Sequence, residues 1–536
     1  MKALTLFIAI IFLVPFKGFS LELAFVPNGG FSSNGYFITD LGNYDTLNIG
    51  GPNIIYLATD MHINGGFDPS YTIETNGFDV YISPGVTNKL DINASGSSGI
   101  INQGTFIGRS SNGQLTGIYL FDNSTFTNHG IFDGSISARD NTTVSLGGII
   151  QRTVQTTTIE GGDTLDYRIS VVNDAWLQST ATILGRGAIF VSNGGEFINH
   201  ELGVIDGFYK IRPWKTGALE EEGVFKNYGS IINASDINTN HYNIDCRGQF
   251  INHQSALMPD TFTLMVGFTP SYFINNGIIN ANCKISFGDS GEFENNGTLT
   301  LRPIDCNNIL TNYFSDDPEG AIFKNNITGV INFNNETCST VIDAEISFEN
   351  YGYIYQEAEA RIGRDNTTSI INHSTGEWYF YNALNEGLRP KAENIDNYGK
   401  MVFCGTNTVS GICPISYITG IHTFTNHPGA KIFTTLQDIS ICIGTSNNTF
   451  INNGSVYSNC YFASSENCPL NLTGINQIDS ATNYNNIVES DGDIHSIQKV
   501  TGGYEVKYDS GNCIELKNGF EVDVLSNFEA VIDGCD

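Results

Sequence analysis

Along most of the chain, short runs alternate between apolar and polar residues, and each run is broken by Asn or Gly. The recurring unit is an aromatic or aliphatic residue, any residue, Asn, then a polar or aromatic residue. Gly usually stands close behind, and an apolar run follows. Copies read Phe126-Thr127-Asn128-His129-Gly130, Phe225-Lys226-Asn227-Tyr228-Gly229, Phe293-Glu294-Asn295-Asn296-Gly297 and Phe348-Glu349-Asn350-Tyr351-Gly352. Others begin with Ile, as in Ile100-Ile101-Asn102, Ile370-Ile371-Asn372 and Ile395-Asp396-Asn397. Period-two alternation over four or five residues, bounded by Asn and Gly, predicts short strands. No apolar periodicity of 3.6 is sustained through the repeats, so helices are not expected.

From Asn102 to Asn452 the marker Asn residues are 26, 71, 28, 25, 23, 20, 30, 25, 22, 25, 29 and 26 residues apart. The long interval fits three coils whose markers have drifted; the other steps average about 25. A step in this range signals stacked units that cannot bury their apolar faces alone. With strands in place of helices, it predicts a right-handed parallel β-helix, continuous from about residue 22 to 475, with Phe126, Phe225, Phe273, Phe293, Phe348 and Phe450 buried in a stack. Phe and Asn of one copy share a strand face and the intervening residue takes the other. The expectation is therefore an inner amide ladder made by Asn128, Asn199, Asn227, Asn252, Asn275, Asn295, Asn325, Asn350, Asn397, Asn426 and Asn452. Asn and Gly also tolerate the left-handed backbone that a sharp corner would demand.

The residue after the ladder Asn is His at 129, 200, 253, 373 and 427, and Tyr, Asn or Gln elsewhere. Two readings stay open. It is either an outward stripe of hydrogen-bonding and stacking groups suited to a ligand or metal, or a corner that accepts any polar or aromatic side chain. Either way the outward Asn296 should be cheap to replace.

The N-terminus changes the compartment. Lys2, the apolar run Leu4–Phe16, and the small residues Gly18 and Ser20 describe a signal peptide over 1–20, too short to span a bilayer. No later stretch predicts a transmembrane segment. The chain carries 56 acidic and 25 basic residues, a net charge of −31, which repels phosphate backbones and argues against nucleic-acid partners. All 11 Cys lie at or after Cys246, none in CxxC spacing, so a zinc site is not expected; in an exported protein ten can pair, leaving Cys535 as the odd one.

After residue 475 the composition shifts. Residues 476–493 read as an acidic polar linker, and 494–536 as three or four tiny strands joined by Gly, Asn and Ser turns. Gly511-Asn512-Cys513-Ile514-Glu515-Leu516, Asn518-Gly519-Phe520-Glu521-Val522, Leu525-Ser526-Asn527-Phe528-Glu529-Ala530 and the terminal Gly534-Cys535-Asp536 carry a resemblance. This segment, under a tenth of the chain, resembles the C-terminal three-coathanger stack domain of exported Bacteroidetes proteins. It departs from that pattern at Lys517-Asn518-Gly519, where Pro is expected before the Gly. The resemblance implies a sorting or surface-anchoring role in which Gly534 and Cys535 matter, with export and sorting machinery as partners. The region 21–475 looks like an adhesin-type surface protein.

The chain shows no Gly-His-Gly, no Arg-x-Lys strand, no Gly-x-Ser-x-Gly elbow, no His-Glu-x-x-His helix and no phosphate loop. Asp316-Asp317 and Glu220-Glu221-Glu222 read as solvated loop charges, and Arg361, Arg364 and Arg389 form no evident cluster. No catalytic residue, cofactor site or metal site is assigned. The expectation is a secreted or outer-cell-surface protein with a structural, adhesive or glycan-binding role, whose partners are glycans or another surface. The alternative is a carbohydrate-active β-helix enzyme, a lyase or glycoside hydrolase, with an unrecognised site.

Overall fold

The computed structural model describes residues 36–38, 54–57, 60–63, 67–107, 117–151, 156–157, 164–165, 168–172, 175–215, 221–235, 242–267, 270–288, 290–302, 320–333, 340–342, 346–356, 360–362, 369–380, 388–390, 394–403, 423–434 and 449–457, together with strands between 471 and 531. The signal-peptide segment and the terminal Gly534 and Cys535 lie outside the described residues. No helix occurs among the described residues, and the strands stack in parallel, giving an all-β parallel β-solenoid. Two compact units divide the chain, Met1–Arg168 and Ile169–Asp536. The division falls inside the 71-residue interval where the Asn marker is lost.

In the larger unit, twelve strands form one sheet, from Trp176–Ser179 through Glu196–Asn199 and Val224–Asn227 to Thr423–Asn426 and Thr449–Asn452. Their register sets Phe on Phe and Asn on Asn: Phe225 faces Phe250 and Asn227 faces Asn252; Phe293 faces Phe323 and Asn295 faces Asn325. The burial alternates as the sequence pattern requires, with Phe and Asn inside and their neighbours half-buried. After a corner of two or four residues the chain enters a second parallel sheet, as in Ile278–Phe287, Thr298–Arg302, Val330–Phe333, Tyr353–Gln356 and Glu377–Phe380. Between residues 340 and 390 a third sheet joins Thr340–Ile342, Ala360–Ile362 and Leu388–Pro390.

The core is a column of rings. Phe197, Phe225, Phe250, Phe273, Phe293, Phe323 and Phe348 stack with centroid spacings of 4.8 to 5.1 Å, close to the strand spacing. Beyond Phe348 the rows carry the smaller Ile370 and Ile395, and Trp378 from the second sheet packs against Phe348 at 5.7 Å. Phe450, at the end of the sheet, is only half-buried.

The smaller unit repeats the layout with a weaker marker. Its rows Met61–Ile63, Val80–Ile82, Gly99–Asn102, Thr125–Asn128 and Thr143–Leu146 pair in parallel, and Ile63, Ile82, Asn102, Asn128 and Leu146 share one column. Phe126 is fully buried, but its row neighbours are Ile100 and Val144, not other Phe residues.

The C-terminal part is a further parallel stack: Asn471–Ile475, Asp493–Ser496 and Cys513–Leu516 in one sheet; Asn486–Ser490, Glu505–Ser510 and Asn527–Val531 in a second; and Lys499–Val500 with Glu521–Val522 in a third. It begins earlier than the expected boundary at 494. The segment read as a linker contributes Asn486–Ser490, whose Ile487 and Val488 are hidden among polar letters, and Val488 faces Tyr508 in the register.

Candidate functional site

Two columns run along the corner of the larger unit, and both grow out of the same motif. The inner column is the Asn ladder. Asn199 Nδ2 donates to Asn227 Oδ1 at 2.9 Å, and Asn227 donates to Asn252 at 3.1 Å and Asn252 to Asn275 at 2.9 Å. The same bond then links Asn275, Asn295, Asn325, Asn350, Asn372, Asn397, Asn426 and Asn452 in turn at 2.8 Å. Asn372, in an Ile-type copy, is a full member. In the smaller unit Asn102 donates to Asn128 at 2.7 Å. Spare amide protons bond corner carbonyls, as Asn295 does to Gly297 at 3.1 Å and Val330 at 3.2 Å. These side chains are fully buried except Asn452, which is exposed at the end of the row. At the other end the Asn199 carboxamide oxygen has no donor, because the preceding row carries Ser179 at that place, and the Ser179 hydroxyl accepts from Ala181 N–H.

The ladder explains the Gly that follows it, and for a different reason than expected. The corner glycines 277, 297, 329, 352, 376 and 399 do not have positive φ, nor does any ladder Asn. The reason is space: a Cβ on Gly329 would lie 2.3 Å from Asn325 Oδ1, and one on Gly352 would lie 2.3 Å from the carbonyl oxygens of Asn326 and Gly329. The ladder amide and the stacked corner carbonyls fill the volume a side chain would need.

The outer column is the residue after each ladder Asn, and it is ordered rather than bare. Corners of two residues, such as Tyr228-Gly229, Tyr351-Gly352 and Tyr398-Gly399, are each followed by a corner of four, opened by His253, His373 and His427. Asn276-Gly277 and Asn296-Gly297 are two-residue corners in consecutive rows before the four-residue corner at Asn326. In each four-residue corner the closing N–H bonds back to the opening carbonyl, as Gly376 N does to His373 O at 2.7 Å. The two kinds of corner pair off. Tyr228 stacks on His253 at 3.7 Å, Tyr351 on His373 at 3.7 Å, and Tyr398 on His427 at 3.9 Å, all within 12° of parallel. Where both are Asn, Asn326 Nδ2 donates to Asn296 Oδ1 at 2.7 Å, and Asn296 Nδ2 donates to Asn276 Oδ1 at 3.0 Å. Asn296 is thus a half-buried rung of a second amide row, not a free outward group. Thr328 and Thr375 hydroxyls add bonds of 2.8 Å to the carbonyls of Asn296 and Tyr351 in the preceding rows.

Acidic and basic side chains line the strand face beside this column. Glu349 accepts from Tyr351 Oη at 3.1 Å and Ser347 Oγ at 3.2 Å, and lies 3.6 Å from His373 Nε2. His427 Nε2 lies 2.7 Å from Asp396 Oδ1. Lys324 sits 4.0 Å from Glu294, and Lys226 pairs with Glu196. Burial lowers the proton affinity of His253 and His373; Lys226 adds to it at His253, while Glu349 opposes it at His373. Burial, then the hydrogen bond and charge of Glu294, push Glu292 above the usual carboxylate range. Among the described residues no group of three His, Cys, Asp or Glu side chains is placed to hold a metal.

Two further groupings were missed in the sequence. Asp245, almost fully buried, accepts from Arg212 Nε at 2.7 Å and Arg247 Nε at 2.8 Å, with Arg212 also facing the Phe190 and Trp214 rings. Arg361 and Arg389 occupy paired backbone positions in the third sheet. Cys246 is free and buried, and its thiol donates to Tyr272 O at 3.3 Å; burial pushes it well above the usual thiol range. Cys246 is thus a free cysteine among the described residues, and Cys535 lies outside them. Compared with protein-family models and with curated proteins, the chain matches none.

Proposed function

We propose that the chain is a secreted or cell-surface β-solenoid with a structural and adhesive role, and that its partner is a glycan presented on another surface. The observation that carries this reading is the outer corner column of the larger unit, from His200 to Asn453. It sets aromatic rings, amides and carboxylates at strand spacing along one edge, and the inner ladder holds it in register. Such a row offers many weak, regularly repeated contacts, which suits an extended polymer better than a small substrate. The proposed destination rests on the Lys2–Ser20 segment and on the resemblance of the last residues to an exported Bacteroidetes domain.

A glycan-array screen of the chain lacking residues 1–20, with reducing-sugar release measured on every hit, tests the reading. Binding without release is expected. Release of reducing ends would replace adhesion with catalysis, and an array without hits would remove the glycan. The sorting role proposed for Gly534 and Cys535 has its own test. Cys535→Ser should lower the cell-surface fraction in the native host and leave the melting temperature nearly unchanged. A fall in stability of several kcal/mol with normal surface abundance, on the order of a lost native disulfide, would make Cys535 a structural partner instead.

A further inference from the structure

Three tyrosines of the outer column share one layout but differ in what covers them. Each has one ring face on the His of the next row: Tyr228 on His253, Tyr351 on His373, Tyr398 on His427. The opposite face of Tyr228 is turned to His200 at 6.4 Å, 19° from parallel. That of Tyr351 carries the Lys324 ammonium, 5.7 Å from the ring centroid. Tyr398 has neither a ring nor a cation on its second face among the described residues, and it is 42% exposed.

The register gives the last two cases matching strand-face positions, with Asn326 at the corner of the central row in one and His373 in the other. Glu294, Lys324 and Glu349 are successive neighbours on the strand face, and Glu349 shares its row with Tyr351. Glu349, Ile371 and Asp396 are successive neighbours in the same way, and Asp396 shares its row with Tyr398. Both sites therefore read carboxylate, central residue, carboxylate plus tyrosine. In the first, the central residue is a lysine whose ammonium lies over the ring, 4.0 Å from Glu294. In the second it is isoleucine, so a tyrosine ring face and two acids, Glu349 and Asp396, are present without a lysine; His373 Nε2 lies 3.6 Å from Glu349 and His427 Nε2 lies 2.7 Å from Asp396.

We infer that Tyr398, with Glu349 and Asp396, forms a binding site for an ammonium group supplied from outside, and that its carrier is an amino sugar. A cation over a tyrosine face is attracted by the ring quadrupole, and two flanking carboxylates on a chain of net charge −31 add a favourable field. Ile371 occupies the ground over which the Lys324 stem runs. The incoming amine thus arrives on a short carrier from solvent, and a pyranose can lay its C–H face against Tyr398 and Ile371 beside the charge. The inference deepens the glycan-binding reading and rests on it for the carrier, though not for the ammonium.

The test titrates the full chain with glucosamine, N-acetylglucosamine and glucose, followed by ligand-observed nuclear magnetic resonance. Glucosamine should bind more tightly than either neutral sugar, by about 2–5-fold from the ring alone. Ile371→Lys should fill the site from within and abolish the preference, with its circular dichroism unchanged. Lys324→Ile should open a second site on Tyr351 and raise the stoichiometry from one to two. Equal binding of the neutral sugars, or a preference that survives Ile371→Lys, would overturn the site. A lysine-containing peptide that binds at Tyr398 while glucosamine does not would overturn the amino-sugar carrier. An array without hits, combined with a glucosamine preference that Ile371→Lys removes, would uphold the site and overturn only the adhesive reading.

Discussion

Asn295 shows how much one side chain does in this fold. Its amide donates to Asn325, Gly297 and Val330, and its oxygen accepts from Asn275, all in a place closed to water. Removing it leaves the Asn325 oxygen without its donor in the core, and an unmet buried polar group costs more than the net value of a hydrogen bond. Asn295→Ala should therefore destabilise the protein by about 1–3 kcal/mol. Asn296→Ala loses two bonds that water can partly replace, so the expected cost is smaller, about 0.5–1 kcal/mol. Denaturant unfolding of the two variants compares them directly; equal losses would contradict the inner and outer assignments. The Asn, its spacing and its inward direction were legible in the sequence because strand alternation ties them to the neighbouring Phe. The role of Gly was not. Its φ is ordinary, and the crowding at Gly352 comes from carbonyls of rows that are distant in sequence.

At the scale of the element, the unit is a pair of rows rather than one. At Tyr351 and Tyr398 a two-residue corner is followed by a four-residue corner with His, joined by ring stacking and a carboxylate–imidazole contact, while Tyr228 stacks on His253 beside Lys226. In the sequence this pairing looks like scatter in the step, since the corner length and the strand connections vary together. Rows led by Ile63, Ile82, Leu146 and Ser179 went unread because the marker itself is replaced. The paired corners also set a pH response. The folded proton affinities of His253 and His373 lie below the unfolded value near 6.5. The unfolded chain then binds more protons, so their contribution is fully present above about pH 6.5 and is lost as pH falls from there through the lowered folded values. Glu292, shifted upward, acts in the opposite sense, which makes a comparison with a variant necessary. The melting temperature should fall between pH 7.5 and 5.5, and by less in the double variant His253→Asn, His373→Asn, since Asn is native at other corners. An unchanged slope would show that these histidines do not sense the medium.

At the scale of the molecule, stacked rows make each coil a neighbour only of the coils beside it, so stability is close to a sum over rows and their interfaces. That property follows from the parallel register and is shared by few other all-β architectures. The repeat of about 25 residues was enough to predict it, whereas the division at Arg168 and the early start of the C-terminal stack at Asn471 depend on pairings that no local pattern announces. The most direct test is to remove one coil. Deleting residues 276–295 joins Phe273-Ile274-Asn275 to Asn296-Gly297, which restores the motif at the seam and sets Asn275 against Asn325. A solenoid should accept this, giving a protein that unfolds cooperatively with the same β circular dichroism and a melting temperature within a few degrees of the parent. Deleting residues 276–285 removes half a coil and should prevent folding. If the whole-coil deletion unfolds or aggregates as the half-coil deletion does, the chain is not a stack of interchangeable coils.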